Sequence, residues 1–191
     1  MLDLGDHPNL VAIKGCRTID EPFMMITEFL KFGDLLNFLR KCCDPANWTL
    51  DEQYHLRPIN QVQIARQVAF GMEYVTTKKY FHGDLAARNI LIGNCLCVKI
   101  TDFGLTDDLY QTGITNLRSG ERRPYKWYDP EAIEHQYCTV KTDIWSFGVL
   151  LWEIYTFGRA TPYHGMTIQE VLRRLKDGYR LPCPSKCPSV M

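Results

Sequence analysis

Residues Tyr80 to Ile92 read YFHGDLAARNILI. Asp84, Arg88 and Asn89 fall within six residues of one another, between the apolar pairs Tyr80-Phe81 and Ile90-Leu91, and a glycine, Gly83, stands directly before the acid. An isolated Asp in a loop is ordinarily a turn former or a cap. Here a second acid, Asp102, follows a short apolar segment. Oxygen donors from an Asn and an Asp suit Mg²⁺, which keeps several waters and binds phosphates through one or two carboxylates. A separate Asp beside such a metal can accept a proton from an attacking hydroxyl. Metal-neutralised phosphates and one positioned base are what phosphoryl transfer requires.

Composition narrows the other possibilities. The chain has 191 residues, 23% charged and 46% hydrophobic, with a formal net charge of zero. Bulk electrostatics therefore give no support to nucleic-acid binding or to attachment on an anionic membrane. No apolar run approaches the roughly 18 residues of a membrane-spanning helix. The opening MLDLGDHPNL has no basic segment followed by an apolar one, so no signal peptide is expected. The eight cysteines lack paired C-x-x-C spacing, which argues against zinc and for free, buried thiols. Asn47-Trp48-Thr49 matches a glycosylation acceptor, a short pattern common by chance.

Outward from the opening stretch, periodicity predicts a largely helical α+β chain. NLVAIKGCRTIDEPFMMITEF reads as two strands around a turn at Asp20-Glu21-Pro22. Asp34 can cap a helix whose stripe is Leu35, Leu36, Leu39 and Cys42. Residues 43–58, with Pro45 and Pro58, read as loop. Ile59, Val62, Ile64, Ala65, Val68, Ala69, Met72 and Val75 fall at helical spacing, predicting a long, well-buried helix. NILIGNCLCVKITDF suggests a hairpin turning at Gly93-Asn94. Residues 106–130 are polar and irregular, and a loop of that length is usually functional or disordered. KTDIWSFGVLLWEIYTFG predicts an apolar helix with Gly158 just past its end, and TIQEVLRRLKDG one with Thr167 as N-cap, Glu170 completing a capping box and Gly178 at the stop.

HGDLAARN at 82–89, DFG at 102–104 and DPE at 129–131 come in the order of the protein-kinase signature set. With HPNLV, ITEFLKFGDLLNFLR, YKWYDPEAI and TDIWSFGVLLWEIYTFG, the chain resembles a tyrosine-specific protein kinase from end to end, in the style of the platelet-derived and fibroblast growth factor receptors. The resemblance implies a kinase-like fold, with 1–29 the end of the N-terminal lobe and the start of the hinge, and 30–191 an incomplete C-terminal lobe. It implies ATP and Mg²⁺ as cofactors and a protein tyrosine as acceptor. A receptor parent would place the domain at the cytoplasmic face of the plasma membrane, with homodimerisation through that parent. Asp84 would be the base, Arg88 would bring positive charge to the phosphoryl group, and Asn89 and Asp102 would hold the metal. Thr27 would be the gatekeeper, Glu28, Phe29 and Leu30 the adenine-binding hinge, and Leu91 the floor beneath adenine. Leu2, Ile13, His82 and Phe103 would form a stacked apolar spine with Asp143 beneath it, and Lys126 and Trp127 would shape the tyrosine platform.

Several positions depart from that pattern. The family's Gly-rich loop, its strand Lys and its helix Glu would precede Met1, and further helices would follow the end, so these residues alone are expected to be inactive. The partner Arg of Glu131 would lie in those helices. Gly83 stands where the family has an Arg that docks a phosphorylated loop. The adjacent tyrosines of that loop fall at Ile114 and Thr115, and Tyr110 alone matches a phosphotyrosine position. Control by loop phosphorylation is therefore not expected. Tyr128 and Asp129 replace the usual Met and Ala before Pro130. The alternative to an enzyme is a non-catalytic, pseudokinase-like binding module.

Overall fold

The computed structural model describes residues 4–19, 21–103, 107–108, 115–116 and 124–188. Leu2, Asp20, Gly104, Tyr110 and Ile114 lie outside them, so the expectations placed on those residues are not addressed.

The expected hairpin forms from β1 (Ile13–Arg17) and β2 (Met24–Thr27), antiparallel with a register shift between Ile13 and Gly15. The segment before it, Asn9 to Val11, lies against a distant strand. Leu10 bridges Ile100 in parallel fashion, and Val11 N–H donates to the Ile100 carbonyl at 2.9 Å.

Asp34 caps α1 (Leu35–Cys42) by accepting from Asn37 N–H at 2.9 Å, as its position predicts. The buried stripe is Leu35, Phe38, Leu39 and Cys42; Leu36 is only half-buried and Phe38 takes the central place. Residues 43–58 are not a simple loop. Asp44 accepts from Ala46 N–H and starts the one-turn α2 (Pro45–Trp48), a 3₁₀ turn covers Glu52–Tyr54, and Pro58 opens α3 (Pro58–Thr77). Both prolines sit at a first helical position, where the missing N–H has no intrahelical partner to lose. α3 buries Gln61, Ile64, Ala65, Val68, Gly71 and Val75, whereas Ile59 and Ala69 face solvent. Its apolar stripe is therefore narrower than the spacing suggests. Gly71 lets the helix approach β5, since a Cβ there would meet Ile100 Cδ1 at 2.7 Å.

β3 (Tyr80–Phe81) leads into the opening stretch, which continues through a 3₁₀ turn at Ala87–Asn89 into β4 (Ile90–Ile92). β4 pairs with β5 (Val98–Ile100) in the register Ile90–Ile100, Leu91–Lys99, Ile92–Val98. The connection is not a two-residue turn at Gly93-Asn94 but the five residues 93–97, closed by Gly93 N–H to Cys97 O at 2.8 Å, with left-handed backbone at Cys95 and Leu96. Within 106–130 the described residues include β6 (Asp107–Asp108), paired with β3, β7 (Thr115–Asn116), paired with a later strand, and a 3₁₀ turn at Tyr125–Trp127. These pieces are ordered by the open edges of their partners rather than by any pattern of their own.

The chain then forms α4 (Pro130–His135), β8 (Tyr137–Cys138), which pairs with β7, the apolar α5 (Val140–Tyr155) and α6 (Ile168–Lys176). After α5 two successive residues are left-handed, Phe157 at φ 57° and then Gly158 at φ 61°, so the glycine lies one step beyond the first left-handed position. α6 carries the predicted capping box: Thr167 N–H donates to Glu170 Oε2 at 2.8 Å, and Gly178 follows at φ 87°. One buried cluster lies between α1, α3, α5 and the β4–β5 pair; a second joins Phe81, Tyr128, Ile133, Tyr163, Val171 and Leu175. The cysteines form no disulfide among the described residues and are not uniformly buried: Cys42 and Cys138 are inside, while Cys16, Cys95 and Cys183 are exposed. Burial pushes the Cys42 thiol up to about 12.

Candidate active site

The opening stretch crosses from one buried cluster to the other, and α5 holds it from beneath. Asp143, near the start of α5 and 4% exposed, accepts from His82 N–H at 2.6 Å and from Gly83 N–H at 2.9 Å. Burial raises its carboxyl above the usual range, opposed by His82 and by the two amides. Gly83 has φ 78°, left-handed backbone that glycine adopts at no steric cost. That local geometry accounts for a glycine between His82 and Asp84.

His82 is fully buried. Its Nδ1 accepts from Asp84 N–H at 3.1 Å, which leaves Nε2–H to donate to Thr101 O at 2.9 Å. The ring is thus a neutral tautomer. Burial lowers its pKa, and Asp143 pulls the other way. Phe103 packs against the ring at 4.9 Å between centroids, with the two planes tilted by 52°.

Asp84 receives both of its polar neighbours. Arg88 ion-pairs with Asp84 Oδ1, and Asn89 Nδ2 donates to Asp84 Oδ2 at 2.9 Å and to its carbonyl at 2.8 Å. Burial raises the Asp84 carboxyl; Arg88 and Asn89 oppose that, and Asp102 adds to it. The balance is upward, toward a stronger base. Because the Asn89 amide nitrogen is turned to Asp84, its oxygen is the atom left for a hard cation. Asp102 is exposed just past β5, with left-handed backbone at φ 62°, uncommon for a residue other than glycine. The donor set of Asn89 and Asp102 is hard oxygen throughout, which suits Mg²⁺ with water completing its shell.

Arg88 also lies over the Trp127 ring, 4.6 Å from its centroid. Trp127 Nε1–H donates to Glu153 Oε2 at 2.9 Å, and Ala87 N–H donates to the same oxygen at 3.0 Å. Glu153 is 2% exposed on α5, and burial raises its carboxyl against those bonds. Sequence reasoning passed over Glu153, although an acid inside VLLWEIY is a signal, because a buried carboxylate needs partners. Lys126 donates to Tyr163 O at 3.1 Å.

The hinge residues lie apart from this cluster. Thr27 ends β2 half-buried, Phe29 is 90% exposed and Leu30 is buried. Glu28 Oε1 binds Ala12 N–H and Lys99 Nζ, each at 2.7 Å, and so ties the hairpin to β5. Leu91 is half-buried, paired with Lys99 and bridged to Asp34. Glu131 is exposed, so it does not pay the cost of a buried, unpaired acid. Asp129 caps α4 through Ala132 N–H at 2.9 Å, while its Oδ2 is buried with no hydrogen-bond partner among the described residues.

The chain matches the family of protein tyrosine and serine/threonine kinases over residues 1–191. The chain belongs to that family. It is 43% identical over 182 residues to tyrosine-protein kinase SRK3 of Spongilla lacustris, covering 95% of this chain and 51% of that protein. It is 41% identical to human ephrin type-A receptor 1, covering 96% and 18%, and 39% identical to human tyrosine-protein kinase ABL2, covering 95% and 14%. The chain thus spans about half of the first relative and less than a fifth of the other two. Of these three names one is that of a receptor, so the kinase assignment holds while the growth-factor-receptor style is not singled out.

Proposed function

We propose that this chain is part of a protein tyrosine kinase domain that transfers the γ-phosphoryl group of ATP to tyrosine hydroxyls of proteins. The observation that carries the reading is Asp84, a half-buried carboxylate held from both sides by Arg88 and Asn89. Asp84 accepts the proton of the substrate hydroxyl. Arg88, paired to it and lying over the Trp127 ring, sets its orientation and brings a positive charge beside the transferred group. Asn89 and Asp102 would hold Mg²⁺, which neutralises phosphate charge when bound. Thr27 to Leu30 and Leu91 receive the adenine.

The LAARN form at 85–89 and relatives named as tyrosine-protein kinases support tyrosine over serine or threonine. A receptor parent, with the domain at the cytoplasmic face of the plasma membrane and dimerisation through that parent, rests on the ephrin receptor among the relatives; the Abl relative supports the alternative without one.

Thermal unfolding with and without millimolar Mg·ATP, beside phosphorylation of a tyrosine peptide, tests the reading. Binding at about a hundredfold excess over the dissociation constant stabilises by ~2.7 kcal/mol. Asp84→Asn is expected to keep that shift and to lose transfer by about 10²–10⁴-fold. Absence of any nucleotide shift would instead support the non-catalytic binding module.

A further inference from the structure

Tyr128 is 1% exposed, among the largest fully buried side chains of the described residues. A buried phenol needs a partner for its hydroxyl. Its partner is the Gly83 carbonyl, at 2.9 Å. The other side of Gly83 is also held, because its N–H donates to Asp143. The peptide units on both sides of Gly83 are therefore fixed, one by α5 and one by the residue two before α4, and the next residue is Asp84.

Tyr128 is itself anchored. The carbonyl of Trp127 accepts from Ser146 Oγ at 2.6 Å, Tyr128 N–H donates to Tyr125 O at 3.1 Å, and Asp129 begins α4 as its cap. Trp127 meanwhile lies under Arg88, the ion-pair partner of Asp84. Two consecutive residues therefore grip the loop on either side of the acid: Tyr128 before it at Gly83, and Trp127 after it at Arg88. Gly83 has no side chain with which to reach out, and its left-handed backbone turns the carbonyl onto the phenol.

We propose that Tyr128 is a positioning residue for Asp84: its hydroxyl fixes the Gly83 peptide and so sets the loop geometry without any phosphate on the segment between 104 and 124. The role rests on the kinase reading for its catalytic meaning, but the positioning itself does not. The bond is neutral, buried and anchored at both ends, and it joins unmodified groups.

Tyr128→Phe removes the hydroxyl and keeps the ring, so the second cluster remains filled. Amide hydrogen exchange of the whole protein then reads where the loss is felt. The expected result is exchange about five- to tenfold faster at 83–89, the scale of one net hydrogen bond, with α3 and α5 unchanged. Where the wild type phosphorylates a tyrosine peptide, kcat falls by a similar factor and the KM for ATP stays the same. Unchanged exchange at 83–89 would overturn the proposal. So would a uniform rise through α4, α5 and α6, which would make Tyr128 a packing residue only. A wild type that transfers no phosphoryl group bears on the kinase reading alone, since the exchange comparison needs no turnover.

Discussion

The loop around Asp84 and the β1–β2 hairpin are both short and both rich in groups that need partners, yet they meet that need in opposite ways. In the loop, His82, Gly83 and Ala87 find partners from distant elements: Asp143 and Glu153 from α5, Tyr128 from the approach to α4, Thr101 from the end of β5. In the hairpin the backbone pairs with itself, while Phe23, Met24, Met25 and Ile26 remain 46–67% exposed. Its tie to the body runs through the Glu28–Lys99 pair and the bonds of Ala12. Burial of polar atoms demands satisfied partners and so fixes geometry. An exposed apolar face demands nothing of its neighbours, and its ladder sets only the local register. The loop should therefore be brittle to substitution and the hairpin tolerant.

The largest expected effect sharpens that contrast in the core under the loop. Phe38 is fully buried in α1 and meets Phe32 edge-on at 5.6 Å. Phe38→Ala should destabilise by about 3–5 kcal/mol, through lost transfer energy and the cavity left behind. Denaturant unfolding checks it, and a loss below about 1 kcal/mol would mean that this cluster collapses readily and is not the rigid base the loop needs.

Next is the cradle itself. Asp143→Ala leaves the His82 and Gly83 amides buried without acceptors, at about 2–4 kcal/mol in total. Asp143→Asn should recover part of this, since its side-chain oxygen can still accept one of the two bonds. If Asn proved as damaging as Ala, the carboxylate would matter through its charge beside His82 rather than through its geometry.

A third expectation concerns pH. Burial holds the folded-state pKa of Asp84 above its unfolded value, despite Arg88 and Asn89. Ionising Asp84 thus costs more in the folded chain than in the unfolded one. Its contribution to stability falls as pH rises from the ordinary carboxylate value, about 4, through the raised folded one, and is constant above that. Asp84→Asn removes this dependence. The variant should gain on the wild type across that window, and the difference between the two should then stay constant up to neutrality. A gap between the two curves that stays flat over the window would show that Arg88 cancels burial in full.

Much of this arrangement can be read along the chain, for reasons that differ by element. Asp34 and Thr167 cap helices because a short polar side chain meets the free N–H groups of the next turn, a purely local interaction. Asp84, Arg88 and Asn89 meet because one loop and one 3₁₀ turn carry all three. The errors lie where local signals have two meanings. Pro45 and Pro58 mark loops in one context and helix starts in another, and here both start helices. Gly93 suggests a tight turn, but the loop needed five residues and put its left-handed backbone at Cys95 and Leu96 instead. What Tyr128 and Glu153 bind is not legible along the chain, because their partners Gly83 and Ala87 lie 45 and 66 residues away. Distance along the chain, rather than chemical subtlety, divides what the residues announce from what only packing reveals.

The smallest expected effect completes the contrast. Phe23 is the same residue type as Phe38, but it is 67% exposed, just before β2. Phe23→Ala removes little buried area, and substitutions away from packed or bonded features usually stay within about 0.5 kcal/mol. Two small effects act here. Loss of an aromatic residue lowers β propensity slightly, while the unfolded and folded states lose nearly equal exposed apolar surface. Neither exceeds the uncertainty of an unfolding curve, so stability is the wrong observable for this residue. Light scattering at rising concentration is the better one, because an exposed apolar hairpin edge favours association between copies. The variant should scatter less than the wild type at equal stability. If Phe23→Ala cost as much as Phe38→Ala, the hairpin would be packed against something the loop region also uses, and the division between a brittle loop and a tolerant hairpin would fail.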